Sequence, residues 1–229
     1  MKHFVSFGCN QYLSALQKLG AEAEASGYFD DITLLTEDSL PESILTFAKE
    51  NPRGFGYWIW KLFIIQTLLE KYPDGHTLIY ADAGCGISTT PKARENFDLW
   101  IKSVYTSTSG RLSFEMTHPE ENYTKADLFD LFDACPSFRK TGQRSASIQV
   151  YKVSKENREF VTKMIQTAIL KNNHYITDAP SVSPNAPTFQ DHRHDQSILS
   201  LMMKTHGSFV FRDHWKDPDY PIMTLRRRS

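Results

Sequence analysis

Three positions carry charge where their neighbours make charge expensive. The segment "LIYADAG" (78–84) is an apolar run that ends on Asp82, followed by the small residues Ala83 and Gly84. One carboxylate at a strand end can bind a divalent cation or the hydroxyls of a ribose, and Mg²⁺ or Mn²⁺ favours such oxygen ligands. Gly84 lets a ligand approach the main chain; an Asx turn closed by a glycine accounts for the same residues without any ligand. Upstream, "RGFGYWIWKLFIIQTLLEKY" (53–72) is apolar almost all round, as in a helix buried on most faces, and Lys61 lies inside it. A buried ammonium is costly unless paired, so Lys61 asks for a phosphate or a carboxylate. The alternative is a stem that carries the charge out to water. Arg53, just before the glycines, is a second anion ligand or a surface residue.

The third charge is Asp195 in "FQDHRHDQSILSLMMKTHG" (189–207). It precedes Ile198 and Leu199 by three and four residues, which puts it on the inward side of an amphipathic helix. There it either faces a cleft or caps the helix. His192 and His194 form an H-x-H pair that binds a metal or simply sits in a loop, and His206 and His214 are open as later ligands. In "THPEENYTKADLFDLFDACP" (117–136), Thr124 and Asp127 read as a capping box, while Tyr123 and Lys125 are candidates to line a cleft.

These side chains need elements to hold them. Strand-length apolar runs fall at 3–8, 31–36, 77–82, 111–116, 146–153 and 208–212. Helical patterns fall at 10–26, 41–50, 55–71, 91–104, 124–133, 154–171 and 195–205. The alternation predicts a single α/β, Rossmann-like domain with a central mixed, mostly parallel sheet of about six or more strands flanked by helices. In such sheets ligands collect beyond the carboxyl ends of the strands, where Asp82 is expected. The proline-rich stretch 177–190 reads as a mobile flap or a plain surface loop. The tail, with Arg226, Arg227 and Arg228, reads as a solvated terminus or an anion contact.

Composition removes several classes. The chain has 229 residues, 40% hydrophobic and 23% charged, with a net charge of −1, so no global basic field points to nucleic acid. No apolar run is long enough for a transmembrane segment, and the first residues lack a secretory h-region. Cys9, Cys85 and Cys135 are too far apart for a metal pattern, which predicts a reduced, cytoplasmic protein. The glycine fingerprints of dinucleotide, P-loop and α/β-hydrolase proteins are missing.

Taken in order, "RGFGYWIWKLFIIQTLL", "LIYADAG", "YTKADLF", "RSASIQVYKVSKENREFV" and "HRHDQSILSLM" resemble the small GT-A-type glycosyltransferases of bacterial polysaccharide loci and large DNA viruses. The resemblance spans roughly residues 3 to 212. It implies a nucleotide-binding part over about 1–90, an acceptor-side part over about 91–215 and a basic tail over 216–229. It also implies a nucleotide-sugar donor, UDP-linked by preference, and a glycan or glycoprotein acceptor. Ser6, Phe7 and Gly8 would approach the base and ribose, and Lys61, with Arg53, the diphosphate. Asp82, Ala83 and Gly84 take the place of the family's D-x-D motif, with Gly84 where the second acid is usual. A late histidine such as His206, or a water, would then complete a Mn²⁺ or Mg²⁺ shell, unless the enzyme works without metal. Asp195 and Gln196 match a "DQ" found in some retaining members, and Tyr123, Lys125 and His194 fall on the acceptor side. Two other classes compete: a metal-dependent phosphohydrolase or nucleotidyltransferase, and a non-catalytic nucleotide- or glycan-binding module.

Overall fold

The computed structural model describes residues 1–214 and 216–228. The chain opens with β1 (Lys2–Phe7), α1 (Leu13–Ser26), β2 (Asp31–Leu35), α2 (Glu42–Glu50), the single turn α3 (Gly54–Tyr57), α4 (Ile59–Lys71) and β3 (Thr77–Ala81). It continues through β4 (Cys85–Ile87), α5 (Pro91–Thr106), β5 (Arg111–Pro119), α6 (Glu120–Tyr123), α7 (Ala126–Leu131), β6 (Gly142–Arg144) and β7 (Ile148–Lys152). Last come α8 (Lys155–Asn173), α9 (Asp195–His206), β8 (Phe209–Arg212) and β9 (Ile222–Thr224).

The seven-stranded sheet runs β2-β1-β3-β7-β5-β6, with β8 also on β5. It is mixed, as the sequence predicts. β1 is parallel to β2 and β3, and β8 to β5, whereas β7 runs antiparallel between β3 and β5. Alternation along β3 divides the interior into two cores. Leu78 and Tyr80 pack with Ile65 and Leu69 of α4, Met164 of α8 and Ile198 of α9. Ile79 and Ala81 pack with Leu19 and Ala23 of α1 and Trp100 and Val104 of α5. The result is a three-layer α/β/α arrangement. Helix ends follow local chemistry: Thr90 Oγ1 accepts from Ala93 N at 3.0 Å with Pro91 in the first turn. The α1 helix stops at Gly27, whose φ of 68° is left-handed.

Four expectations are corrected. The helix predicted over 55–71 begins only at Ile59, because Gly54, Phe55, Gly56, Tyr57 and Trp58 all have positive φ. Such a conformation is unfavourable for L-residues with a Cβ, so this lip of the molecule is a strained turn. Strands β4, β6 and β9, each three residues long, are invisible to a period-two search. The stretch 177–190 is tied down rather than flap-like. Asp127 accepts from Val182 N at 2.8 Å and Ser183 N at 2.7 Å, Asn185 Oδ1 accepts from Ala126 N at 2.8 Å, and Gln190 N donates to Asn122 O at 2.8 Å. Burial would raise the Asp127 carboxyl, but the bonds from Ser183 and Val182 overcome it and hold that group below its usual range. Finally, the basic tail is anchored at its base, where Cys85, Gly86 and Ile87 pair with Thr224, Met223 and Ile222, while Arg226 and Arg228 are exposed where they line the cleft. Among the described residues, no helix is long and apolar enough to cross a membrane.

Candidate active site

The parallel register places Lys2 beside Thr77 and Val5 beside Tyr80, so two residues further on Phe7 arrives beside Asp82. Antiparallel β7 enters at the same edge, where Ala81 faces Ile148 and Asp82 N donates to Ser147 O at 2.9 Å. Three strand ends therefore meet at one edge. Above them opens a cleft of about 1110 Å³. Phe7, Gly8, Asp82, Ala83, Gly84 and Gln196 line it, with Ser145 and Ser147 between them. Gly54, Phe55, Trp58 and Trp60, from the strained turn and the start of α4, form an aromatic lip.

Beneath the floor lies the group that sequence spacing singled out. Lys61 is fully enclosed, and its Nζ sits 3.0 Å from Asp82 Oδ1 and 3.1 Å from Asp195 Oδ2. It also donates to Ala146 O at 3.3 Å. The alternative of a stem reaching water is thus removed: Lys61 is paired, with two carboxylates. Burial alone would lower its pKa, but the charges of Asp195 and Asp82 overcome it and hold the ammonium above its ordinary value. For Asp195, burial raises the carboxyl from 3.8 to about 6, with Lys61 opposing and Asp82 reinforcing the shift. The Asp195–Lys61 contact is an ion pair without hydrogen-bond alignment, which leaves Oδ2 with an unfilled acceptor direction. Tyr80 donates its hydroxyl to Asp82 Oδ1 at 2.7 Å, so that oxygen is held from two sides. The other side of Asp82 meets the cleft, where its side chain is about one-third exposed.

Several candidates lie elsewhere. Asp195 is 4% exposed and forms no part of the cleft wall; Lys61 connects it to Asp82, which does. Gln196 reaches the wall, but its amide is held: Nε2 donates to Gln143 Oε1 at 2.6 Å and Oε1 accepts from Ala146 N at 3.2 Å. Ser6 is buried behind Phe7, its hydroxyl without a partner among the described residues. Arg53 points away and clamps Asp178 at 2.9 Å and Asp191 at 2.7 Å. Lys125 is buried with its ammonium on the carbonyls of His174, Thr177 and Ala179, which corrects its assignment to a cleft wall. Burial lowers its pKa to about 8. Tyr123 donates to Gln190 Oε1 at 2.8 Å and lies under the Arg193 guanidinium.

The histidines are also accounted for. His194 places Nδ1 2.7 Å from Ile176 O, and His192 places Nε2 2.9 Å from Tyr175 O. Both are buried with one ring nitrogen on a main-chain carbonyl, while His194 Nε2 has no hydrogen-bond partner among the described residues and lies 3.8 Å from Asp178 Oδ1; burial lowers both pKa values. His206 closes the far end of α9, eleven residues from Asp195, or roughly 16 Å along the helix. It cannot share an ion with Asp82, which Lys61 ties to the other end of that helix. His214 does line the cleft.

Sequence reasoning missed His118, Arg193, Arg212 and Asp213, which line the cleft together with Arg226 and Arg228 of the tail, where an anion contact was one of the two expectations. Burial raises the Asp213 carboxyl to about 6. For Arg212 and Asp213 the available signal is position, since Arg212 ends β8 and Asp213 follows it as Asp82 follows β3. That β8 lies in the same sheet as β3 is a tertiary fact.

The glycine after Asp82 also has a use that the sequence did not indicate. A Cβ on Gly84 would stand 3.0 Å from Arg227 O and 3.2 Å from Arg227 N, so the space belongs to the C-terminal segment rather than to a ligand. Arg227 N donates to Gly84 O at 3.1 Å. Gly84→Asp is therefore expected to cost roughly 1–3 kcal/mol through overpacking, read as a lowered urea midpoint. An unchanged midpoint would mean that the tail is not seated there.

A divalent cation was expected at Asp82. The donor set does not fit one: among the described residues no three His, Cys, Asp or Glu side chains converge on a metal position. The inner oxygen of Asp82 is already engaged by an ammonium and a phenol.

No protein-family model matches the chain, and no curated protein matches it in sequence. Solved structures do. The galactosyltransferase LgtC, in complex with donor and acceptor sugar analogues, superposes with a TM-score of 0.52 at 12% identity over 91% of this chain and 72% of LgtC. An LgtC variant with an active-site glutamine changed to glutamate gives 0.51, with the same identity and coverage. Mouse xyloside xylosyltransferase 1 gives 0.45 at 11% identity, over 93% of this chain and 85% of that enzyme. At such identities the likeness is one of fold, and the chain has the GT-A glycosyltransferase fold.

Proposed function

We propose that this chain is a glycosyltransferase that moves a sugar from a nucleoside-diphosphate donor to a hydroxyl of a glycan or glycoprotein. The observation that carries this reading is the placement of Asp82 in a large cleft at the carboxyl ends of β1 and β3, on a GT-A fold, with Lys61 and Asp195 locked beneath it. The aromatic lip and the Phe7–Gly8 turn suit a base and ribose; the open side past Met116, Thr117 and His118 suits an acceptor. In the reaction, the bond from the anomeric carbon to the β-phosphate oxygen breaks with its electron pair on that oxygen. A bond to the acceptor oxygen forms, and the acceptor proton passes to the departing phosphate. Positive charge grows at the anomeric carbon and negative charge on the phosphate.

With Asp82 and Asp195 both ionised, the two carboxylates and one ammonium leave one net negative charge at the floor, positioned to favour the anomeric cation. In the finer reading the donor is a UDP-sugar and the configuration is retained, with Gln196 at the reacting face. A glutamine in LgtC is named an active-site residue, and Gln196 is one of two glutamines, with Gln11, that line this cleft. A donor screen with UDP-, GDP- and CMP-sugars, followed by release of the free nucleotide, tests the proposal. Acceptor-stimulated release from one donor class is expected, with the product's anomeric proton coupling reporting retention. Absence of both nucleotide binding and release across the screen would sink it.

A further inference from the structure

We infer that the donor diphosphate is held by Arg226 and Arg228 of the C-terminal segment, acting with Arg193 and Arg212, and that this cationic wall replaces a divalent cation at Asp82. The inference rests on the nucleotide-sugar reading above.

The segment is built into the site rather than draped over it. β9 pairs with β4 immediately after Asp82, and Arg227 is bonded through its N–H to Gly84 O. The Arg227 guanidinium reaches the other way, to Glu22 Oε1 at 2.7 Å, while Glu22 Oε2 accepts from Ile87 N at 3.0 Å. Gly86 makes room for it: a Cβ there would meet Arg227 Nη2 and Leu225 Cδ1 at 2.7 Å. Two glycines and one acid thus fix the central arginine of three, and its neighbours Arg226 and Arg228 come to the cleft. Arg226 has φ of 57°, a region that suits glycine, so a long cationic side chain occupies a position where backbone cost favours none.

Basic side chains outnumber acidic ones among the residues that line the cleft. Arg193, Arg212, Lys216, Arg226 and Arg228 line the cleft against Asp82, Asp213 and Asp217. A diphosphate presents oxygens that guanidinium groups bind in bidentate fashion. Those same groups stabilise the electron pair left on the β-phosphate oxygen when the glycosidic bond to the donor breaks. At Asp82 the opposite holds, because the oxygen facing inward already has Lys61 and Tyr80 on it. The place beside it, at Gly84, is filled by Arg227 main chain.

The test is calorimetric titration of the full chain with UDP, inorganic pyrophosphate and uridine, each in chelator and in Mn²⁺. Affinity for UDP and pyrophosphate is expected to agree within about threefold between the two conditions. The Arg226→Ala/Arg228→Ala variant should weaken both by about tenfold or more, the loss of at least one charge-assisted bond, and leave uridine unchanged. Arg226→Lys/Arg228→Lys should fall between, since charge remains and the fork is lost. Arg228→Gln, beyond the last paired residue of β9, supplies the same comparison if the double variant fails to fold. Binding of UDP only with Mn²⁺, or equal pyrophosphate affinity in wild type and the alanine variant, would overturn the inference. Its failure is separable from failure of the function. Metal-free, arginine-dependent UDP binding without sugar transfer leaves the inference standing and removes the transferase. Sugar transfer seen only with Mn²⁺ does the reverse.

Discussion

Lys61→Met is expected to lower stability by about 3–5 kcal/mol and to abolish measurable nucleotide-sugar turnover. Methionine matches the length of the lysine stem and its apolar surroundings, so packing is nearly conserved. What is lost is the cation 3.0 Å from Asp82 and 3.1 Å from Asp195. Two carboxylates would then face each other across an apolar floor, one of them 4% exposed. Protonation of Asp195 offers partial relief, because burial has already raised its pKa to about 6. The variant should therefore regain stability as pH falls below neutral, more steeply than the wild type, whose raised Asp195 pKa acts in the same direction. Lys61→Met/Asp195→Asn should be more stable than Lys61→Met alone, since it removes the charge that has no partner. Urea titrations of the three proteins, at about pH 7.5 and again at about pH 5.5, check the ordering. A double variant no better than the single one would mean that the ion pair is not what the lysine is there for.

Asp195→Asn is expected to reduce kcat by about 10²–10³ with little change in KM. Asparagine keeps the shape of the side chain and removes its charge, so donor binding at the cleft wall is preserved. The effect arises because Asp195 does not touch the cleft; it positions Lys61, which in turn holds Asp82. A purely structural role would not move the pH profile, whereas this one should. In the wild type, activity is expected to fall as pH drops through about 6, where Asp195 takes up a proton. That limb should vanish in Asp195→Asn.

Stability carries the opposite sign. The folded pKa of about 6 lies above the ordinary 3.8, so the contribution is fully present below 3.8 and is lost as pH rises to about 6. Lys61 is also raised from 10.5, and its contribution is present below that value and lost above it. A kcat profile whose acid limb survives in Asp195→Asn would assign that limb to another group, with Asp213 the first candidate because it shares the cleft and a pKa of about 6.

Two residues of this triad, Lys61 within α4 and Asp82 just past the end of β3, were legible because each broke a local pattern. Lys61 is charged inside a run with no polar face, and Asp82 ends a run that is buried at every position of β3. Such exceptions have a large energetic cost, so they announce a partner. The partner itself was not named by the sequence. Lys61 asked for an anion, and the fold answered with Asp82 and Asp195 rather than with a ligand.

Arg53, Lys125 and His194 show the limit of the same reasoning. Each is a polar residue in a suggestive place, yet each serves main chain or carboxylates that pin a loop. Nothing in a linear pattern separates a charge that meets a substrate from one that fastens a loop, since both need the same chemistry. The tail illustrates the converse. "TLRRRS" has the composition of a solvated end, and only pairing with β4 brings two of its arginines into the cleft.

The sequence by itself determined the α/β layering, the principal strands and helices, and the positions of Asp82, Lys61 and Asp195, because hydrophobic period and the cost of buried charge are local properties. Only the tertiary structure decided which charges neutralise one another, why residue 84 has no side chain, and which arginines face the cleft. Those outcomes depend on contacts between segments distant in the chain, where no local energy records the partner.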